Sequence, residues 1–401
     1  RRAGQGSGVP RLPQMKENLS SVQNPHAEYT GRLAYFEETI QRWHRRERTL
    51  SYSRLLAFGI TLVLLWLAFG VGSVSLRWPG ISALLFIGLV IGHDYVIRKR
   101  RAADRSAAFY RHGLARLEDR WHGLGETGEN YRDRDHLYAD DLDIFGEGSV
   151  FQLLCTARTP TGKNTLARWL LSPAPAEEVC QRQDAVRELR DRLRLREDIA
   201  QIGEELGAQF DPDALSRWAQ EDSTLTPSRG LRLGIACVCG LTIGALVLWA
   251  ITPIGPLPFV FALALQGSIS LLLRKKVRPL INNIAQPTRN LTLLRDLLRR
   301  LEAESYSGTQ LTELSQKLEC EGTQASARIT QLERLTHLLD ARHNQLFAPI
   351  GALLLWGTQV SLAIASWQQQ WGNQVAIWVE AAGDLEALNS LAAYHYEHPD
   401  D

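Results

Sequence analysis

A glycine followed by a lysine, Gly162-Lys163, has the residue types that could bind a nucleotide phosphate. A Walker-type phosphate loop needs a glycine five residues before the Gly-Lys pair and a serine or threonine directly after the lysine. Ala157 and Asn164 occupy those two positions. The pattern lacks the groups that cradle phosphates and bind magnesium, so we predict no nucleotide-binding residue and no cofactor in this chain.

Two further pairs of polar residues lie within apolar stretches. Cys237 and Cys239 are two thiols without a nearby histidine or carboxylate, too few ligands for zinc, so we predict no metal site. His93 and Asp94 could carry a proton or an ion, because polar residues inside a membrane are often functional. Their closeness to Arg98 favours a position at the membrane surface instead. No arrangement of nucleophile, base and acid is evident, and we predict no catalytic residue.

A basic run could contact nucleic-acid phosphates. Acidic residues interrupt it, which favours a solvated helix with local ion pairs. The run consists of Arg187, Arg190, Arg192, Arg194 and Arg196, interleaved with Glu188, Asp191, Glu197 and Asp198.

The composition excludes several classes of protein. The 401 residues allow two or three domains, and 45% hydrophobic with 22% charged residues exclude a wholly disordered chain. A net charge of +1 gives no global basic field for nucleic acid. The five cysteines are odd in number and widely spaced, so a disulfide framework is not expected.

Charge-poor apolar runs predict two membrane hairpins. Residues 55–76 are long enough, as a helix, to cross a bilayer core of about 30 Å. Residues 81–97 are a second apolar run and the weakest of the four, with His93 and Asp94 near its end, and together the two runs predict the first hairpin at about 55–97. Residues 233–273 carry no charge, and the Pro and Gly residues at 252–256 divide them, which predicts a second hairpin at about 231–273. A hairpin buried in a soluble protein is the alternative.

Basic flanks predict the orientation of both hairpins. The positive-inside rule keeps such flanks in the cytoplasm, so both turns should face outward and the bulk of the chain should be cytoplasmic. We expect a multi-pass protein of the plasma (inner) membrane, with the lipid bilayer as a partner. The flanking residues are Arg42, Arg45, Arg46, Arg48 and Arg54, then Arg98, Lys99, Arg100 and Arg101, and for the second hairpin Arg229, Arg232, Arg274, Lys275, Lys276 and Arg278.

The remaining segments are predicted to be helical, and the fold class is all-α. Residues 1–30 are rich in Gly, Pro, Ser and Asn, which predicts disorder. Residues 31–130 form a helical segment with the first hairpin, and residues 131–401 form a helical domain that the second hairpin interrupts. Leucine spacing at 291–301 and 329–339 predicts two further long helices.

Three segments resemble the core domain of MutS-family proteins, the DNA mismatch-repair ATPases and their relatives. Residues 140–173, DDLDIFGEGSVFQLLCTARTPTGKNTLARWLLSP, resemble the opening of that core, EEVCQRQDAVREL at 177–189 resembles a following helix, and WVEAAGDLEALNSLAAYHY lies at 378–396. The resemblance covers roughly 140–220 and 280–401. The residues that carry it, in a structural role, are Asp141, Asp143, Phe145, Gly146, Thr159, Pro160, Gly162, Lys163, Trp169, Leu170, Arg182 and Gln183.

This resemblance implies a cytoplasmic MutS-core-like domain and a nucleotide-driven, DNA-associated machine. ATP and magnesium would bind an ATPase domain that follows Asp401, and that domain would form the homodimer. We expect this chain to be part of a longer protein, and double-stranded DNA is an expected partner. Phe36-Glu37-Glu38 matches the Phe-x-Glu spacing of mismatch readers, but it precedes an apolar run with no room for the reader domain, which favours chance.

Two other functions remain open at this point. The chain could be a structural membrane protein that uses its core as a protein-interaction scaffold without DNA binding. A transporter or channel is disfavoured, because only four spans and few intramembrane polar residues are present.

Overall fold

A computed structural model describes residues 24–75, 77–207, 210–221, 228–340 and 348–400. The fold is nearly all helical, with 79% of the described residues in helices. The helices in the described ranges are α1 Pro25–Trp66, α2 Arg77–Leu117, α3 Val150–Leu154, α4 Pro160–Leu171, α5 Ala176–Arg190, α6 Leu193–Gly207, α7 Pro212–Gln220, α8 Arg229–Ile251, α9 Leu257–Asn283, α10 Ala285–Glu302, α11 Thr309–Lys317, α12 Ala325–Asp340, α13 Ala348–Leu353 and α14 Trp356–Glu397.

One short β-hairpin departs from the predicted all-α class. Strands β1 (Glu319–Cys320) and β2 (Thr323–Gln324) pair in antiparallel register. Glu321 and Gly322, at φ 51° and 69°, form the turn between them, and two left-handed residues suit the twist of a tight hairpin. Two-residue strands leave no alternation of polar and apolar residues to detect, which is why the sequence did not predict them.

The chain divides into two compact units, Arg1–Leu154 with Ala393–Asp401, and Cys155–Ala392. This division differs from the predicted domain boundary at residue 131. The loop at 141–149 packs its buried Phe145 with Tyr131 and Phe151, at ring-centroid distances of 5.9 and 5.5 Å. These aromatic contacts hold the loop in the first unit.

Two long antiparallel helices, α1 and α2, dominate the first unit. Each spans about 60 Å at 1.5 Å per residue. The start of α1 contacts the end of α2, where Arg111 pairs with Glu37 at 2.9 Å. The end of α1 contacts the start of α2, where Phe58 packs against Phe86 with ring centroids 5.8 Å apart. A π-helical turn, Leu67–Val71, extends α1, and Gly72 at φ 70° ends it.

Helix α1 begins at Pro25, inside the segment 1–30 that was predicted to be disordered. Asn24 caps α1, because its side chain accepts hydrogen bonds from the backbone N–H groups of His26 and Ala27, and Pro25 occupies the first helical turn. Asn and Pro suggested a loop by composition, but at a helix start both residues favour the helix. Residues 1–23 lie outside the described residues.

The core of the second unit forms around α6, α10, α12 and the part of α14 before Ala393. Buried leucines of α10 and α12 pack with α6 and with the fully buried Trp378 of α14. The predicted helices at 291–301 and 329–339 therefore exist, and they contact each other. In the same unit, α8 packs against α9, with Trp249 stacked on Phe259 at 5.9 Å beside their turn.

Four helices are long and apolar enough to cross a membrane. They are the helical stretches Pro25–Val71, Arg77–Leu117, Gly230–Ile251 and Leu257–Lys275. Most residues in the apolar segment of each stretch are not buried. Phe69 is 76% exposed and Leu272 is 78% exposed. Large exposed apolar surfaces of this kind are typical of membrane-facing helices.

Candidate functional site

The Gly162-Lys163 pair lies in the first turn of α4, where it belongs to a helix cap. Thr159 is the N-cap residue: its backbone is extended, and its Oγ1 accepts a hydrogen bond from the Gly162 N–H at 3.1 Å. Pro160 occupies the first helical position, where its missing N–H costs nothing. The Thr-Pro-x-Gly-Lys step is therefore built as a helix start.

Glu386 of α14 accepts hydrogen bonds from this helix start. Thr159 Oγ1 donates a short hydrogen bond to Glu386 Oε2. The backbone N–H groups of Arg158 and Thr159 donate to Glu386 Oε1 at 3.4 and 3.5 Å. A helix N-terminus favours an anion, and the carboxyl group of Glu386 already occupies this one.

Burial dominates the electrostatics of Glu386. The residue is 2% exposed, and this burial raises the pKa of the Glu386 carboxyl, while the hydrogen bonds from Thr159 and the charge of Lys163 lower it. Lys163 is half-buried. Its charge acts on a carboxyl group of the same unit, a role that requires no phosphate.

Glycines allow the close packing around Glu386. A Cβ on Gly162 would stand 2.5 Å from Glu386 Oε2, and one on Gly203 would stand 2.7 Å from Arg158 Cβ. A Cβ on Gly383 would meet Thr161 Cγ2 at 2.6 Å. These distances are shorter than carbon contacts in packed cores, so each position requires glycine as long as its neighbours stay in place.

A second polar contact joins the same two segments one turn further along α14. The Thr156 N–H and Oγ1 approach Ser390 Oγ at 3.2 and 3.1 Å. Together with Glu386, Ser390 links the chain before α4 to a helix more than 200 residues away in sequence. We call Thr156, Thr159, Glu386 and Ser390 the polar lock.

The remaining family-like residues of the second unit surround α4 and α5. Trp169 is partly buried against the core, and the Arg182 guanidinium carbon lies 4.1 Å from the centre of its ring. Arg182 also pairs with Glu178. Leu170 is half-buried, and Gln183 is exposed.

An acidic neighbour, Asp384, lies on the same part of α14. Burial raises the pKa of the Asp384 carboxyl, the nearby Glu380 raises it further, and Arg168, whose guanidinium lies 3.7 Å away, lowers it. Among the described residues, no three His, Cys, Asp or Glu side chains are arranged to hold a metal ion.

The family-like residues at 141–146 belong to the first unit, where they form a tight loop. Asp141 is exposed, and Asp143 adopts a left-handed backbone at φ 47°. Gly146 has φ 115° and donates its N–H to Thr127 O at 2.9 Å. Phe145 is buried in the aromatic cluster. Asp143, Phe145 and Gly146 therefore have structural roles in this loop, and the sequence motif is divided between two units.

The other candidates take ordinary structural roles. Phe36 is 1% exposed and packs against Tyr110, with ring centroids 5.9 Å apart, in the core of the first unit. Asp94 pairs with Arg98 four residues later. Cys239 is buried among apolar residues, and Cys237 is exposed.

Most of the basic run is paired within its own unit. Arg187 pairs with Asp184, and Arg190 with Asp191. Arg192 contacts Glu188 at 2.7 Å and Glu304 at 3.2 Å. The buried Arg196 donates to the backbone oxygens of Leu189 and Arg190. Of these pairs, Arg190–Asp191 and Arg192–Glu188 agree with the local ion pairs predicted from the interleaved acidic residues, whereas Asp184 and Glu304 lie outside the run.

Sequence reasoning missed Glu386 as the partner of the Thr-Pro-x-Gly-Lys step. A signal existed, because the buried residues Val375, Trp378, Ala382 and Leu385 recur at helical spacing, and that spacing places Glu386 on the same face. A carboxylate on an apolar stripe needs hydrogen-bond donors, which would have directed the search toward a helix start.

Comparisons with known proteins identify no relative. No protein-family model matches the chain, and searches of the curated proteins and of the solved structures return no match. The resemblance to the MutS core therefore rests on the residues of this chain alone.

Proposed function

We propose that this chain is the membrane-anchored, non-catalytic core of a MutS-like, DNA-associated ATPase. The polar lock supports the proposal, because it joins two of the segments that carry the resemblance. Thr159, in the Thr-Pro-x-Gly-Lys step, and Glu386, in the segment 378–396, bond directly to each other. Two stretches far apart in sequence pack as parts of one core, as expected if one domain were interrupted by an inserted apolar hairpin.

The membrane part of the proposal consists of two hairpins that cross the inner membrane, with the bulk of the chain in the cytoplasm. The exposed apolar windows of the four long helices support membrane insertion. The basic residues on both sides of each hairpin support outward-facing turns. Insertion would also supply an environment for apolar side chains that water would not solvate.

Reporter fusions test this topology. Fusions at Arg77 and Gly255 should report from outside the cytoplasm, and fusions at Ser106, Glu221 and Gln286 should report from inside. An inside signal at Gly255 would exclude the second hairpin as a membrane crossing.

DNA contact through phosphates alone is the second part of the proposal. In the basic run at 187–196, Arg187, Arg190 and Arg192 already have ion-pair partners, and the resemblance does not extend to the mismatch-reading domain of the family. Binding should be weak, salt-dependent and indifferent to mismatches. With about three phosphate contacts, a fourfold rise in salt should lower the affinity about fortyfold.

Titration of the solubilised chain against matched and G·T-mismatched duplexes at two salt concentrations tests this part. Equal, salt-sensitive affinities would support a DNA-contacting core. A preference for the mismatched duplex would contradict the claim that the reader is missing.

ATP and magnesium would bind only to the ATPase domain that the resemblance implies after Asp401. That domain would also form the homodimer. The residues around Lys163 do not fit a phosphate, because Glu386 occupies the helix start where a phosphate would bind. Lys163→Ala should leave ATP binding at background. ATP binding that disappears in this variant would overturn the structural role of Gly162-Lys163.

A protein-interaction scaffold is the second candidate function. The paired arginines at 187–196 favour it, since a surface whose charges are satisfied internally attracts nucleic acid poorly. Absence of DNA binding at low salt would select the scaffold, whereas salt-sensitive binding would select the DNA-associated core.

A further inference from the structure

A cleft of about 790 Å³ lies between α9 and the junction of α13 with α14, within the second unit. This volume is in the range of small-molecule sites. One face of α9 forms the first wall, because its lining residues recur at helical spacing from Phe259 to Arg278. Residues 349–358 form the second wall.

The second wall is an interrupted helix. α13 ends at Leu353, and Leu355 has a left-handed backbone at φ 46° before α14 begins at Trp356. Gln266, buried within the apolar stretch of α9, donates from Nε2 to Ala352 O at 2.7 Å and Leu353 O at 3.0 Å.

The bond to Leu353 O satisfies a carbonyl group that the helix break leaves free, and the bond to Ala352 O adds to the one that this carbonyl accepts from the Leu355 N–H at 3.1 Å. Gln359 likewise donates to Leu354 O at 2.7 Å. Backbone with broken helical bonds is tolerated beside a membrane only where such partners exist, so the cleft wall is fixed in place by side-chain donors.

The cleft is apolar along most of its length and cationic at one end. Phe259, Leu263 and Leu355 line the apolar part, and Arg274 and Arg278, one helical turn apart, line the end. The uncharged run of α9 ends at Leu273, directly before Arg274. The two arginines therefore lie where the proposed span would reach the water interface.

No acidic residue of the same hairpin can neutralise these arginines. Residues 229–283 contain no Asp or Glu, and both arginine side chains are exposed without a hydrogen bond or ion pair among the described residues. The matching hairpin of a second copy would offer no anion either. A ligand with an apolar chain followed by an anionic group is complementary to both parts of the cleft.

We infer that this cleft binds one anionic phospholipid of the cytoplasmic leaflet. Arg274 and Arg278 hold the headgroup phosphate, and an acyl chain lies along Phe259, Leu263 and Leu355. The inference rests on the membrane insertion of α9 proposed above. It does not depend on DNA binding or on an ATPase domain.

Native mass spectrometry of the full detergent-solubilised chain tests the site, with phosphatidylglycerol and phosphatidylcholine titrated separately. The wild type should retain one phosphatidylglycerol at concentrations where phosphatidylcholine is lost. Each interfacial arginine is worth about 1 kcal/mol toward anionic lipid, so Arg274→Gln with Arg278→Gln should weaken retention about thirtyfold. Excess inorganic phosphate should not compete, because it lacks the acyl chain.

Two controls separate the cleft from general charge and from general hydrophobicity. Lys275→Gln with Arg289→Gln removes the same charge outside the cleft and should leave retention unchanged. Gly267→Leu fills the cleft, because a Cβ there meets nothing within 4 Å, and it should abolish selective retention. Gly244→Leu, equally open but outside the cleft, should not.

Equal retention of both lipids by the wild type would overturn the inference, as would unchanged retention in the double arginine variant. A membrane-extraction assay distinguishes failure of the site from failure of the proposed function. A chain that leaves the membrane without detergent would contradict the membrane spans themselves. A chain that stays in the membrane but lacks lipid selectivity would contradict the cleft alone.

Discussion

Two buried glutamates lie eleven residues apart on α14, and the two units stabilise them differently. In the first unit, Glu397 is 4% exposed and receives hydrogen bonds from Arg116 Nε at 2.6 Å and from Tyr29 OH at 3.1 Å. In the second unit, Glu386 is 2% exposed and receives hydrogen bonds from Thr159 Oγ1 and two backbone N–H groups. The carboxyl group of Glu397 has a full opposite charge as its partner, whereas that of Glu386 has the N-terminus of a helix.

The difference has physical consequences for each unit. A bidentate guanidinium partner supplies a strong, directional ion pair, and losing it leaves a buried charge uncompensated. A helix start supplies only partial charges, worth a few tenths to about 2 kcal/mol, so burial prevails and raises the pKa of Glu386. The first arrangement should be sensitive to mutation of the cation. The second should be sensitive to packing and to pH.

The largest expected effect is in the first unit, for Arg116→Ala. The Arg116 and Glu397 side chains are 10% and 0% exposed, and breaking a buried pair by removing one partner costs about 3–5 kcal/mol. Hydrogen exchange measured by mass spectrometry should accelerate at the end of α2 and in residues 393–397.

Arg111→Ala is the matched control for that variant. Arg111 and Glu37 form an ion pair on the same helix pair, but their side chains are 51% and 48% exposed. Exposed pairs contribute about 0–1 kcal/mol, so exchange should change little. Equal effects of the two variants would show that burial does not distinguish these pairs.

Gly162→Ala should destabilise the second unit by about 1–3 kcal/mol, the usual cost of overpacking. The new Cβ would stand 2.5 Å from Glu386 Oε2 and 2.7 Å from Glu386 Cβ. Gly31→Ala in α1 is the control with the opposite sign, because a Cβ there meets nothing within 4 Å and alanine favours a helix by up to about 1 kcal/mol. Thermal unfolding of both variants in detergent measures the contrast, and stabilisation by Gly162→Ala would contradict the close packing.

The long helices could be predicted from the sequence because their signals are local. The apolar runs at 55–97 and 233–273 and the leucine spacing at 291–301 each lie within a single element. The same reasoning treated 1–30 as disordered, since composition cannot distinguish an Asn-Pro loop from an Asn-Pro helix cap.

The particular pairing of Thr159 with Glu386 and the helix break could not be predicted, because their causes are non-local. Thr159 and Glu386 are 227 residues apart in the chain, and neither residue alone signals the other. Leu353, Leu354 and Leu355 continue an apolar helical pattern in sequence, yet the backbone turns left-handed at Leu355. The partner that stabilises this break, Gln266, belongs to another helix.

The pH dependence of Glu386→Gln tests the helix-start arrangement directly. The folded pKa of Glu386 lies above its ordinary value of 4.5, so its contribution to stability is complete below that value. As the pH rises, the unfolded chain loses the proton first, and stability falls by up to about 1.4 kcal/mol per pH unit until the folded group also ionises. Glutamine does not titrate, so the stability of the wild type minus that of the variant should decrease with rising pH.

Denaturant unfolding of both proteins over a series of pH values measures that difference. A difference that increases with pH would mean that the folded pKa is lowered, and that the hydrogen bonds from Thr159 and the charge of Lys163 outweigh burial. A constant difference would mean that Glu386 does not titrate differently on folding. Either result would contradict the conclusion that burial prevails at Glu386.

The smallest expected effect is for Ser390→Ala, at the outer end of the polar lock. The Thr156 N–H would lose its acceptor at 3.2 Å, and Thr156 Oγ1 would lose its contact at 3.1 Å. Net loss of a hydrogen bond of this kind costs about 0.5–1.5 kcal/mol. Thr156 is only half-buried, so water can replace part of the interaction, and the cost should lie near the lower end.

Hydrogen exchange should increase at residues 155–160, while the pH dependence due to Glu386 persists. A loss of that pH dependence in Ser390→Ala would mean that the polar lock acts as one unit, with Glu386 depending on Ser390 for its position.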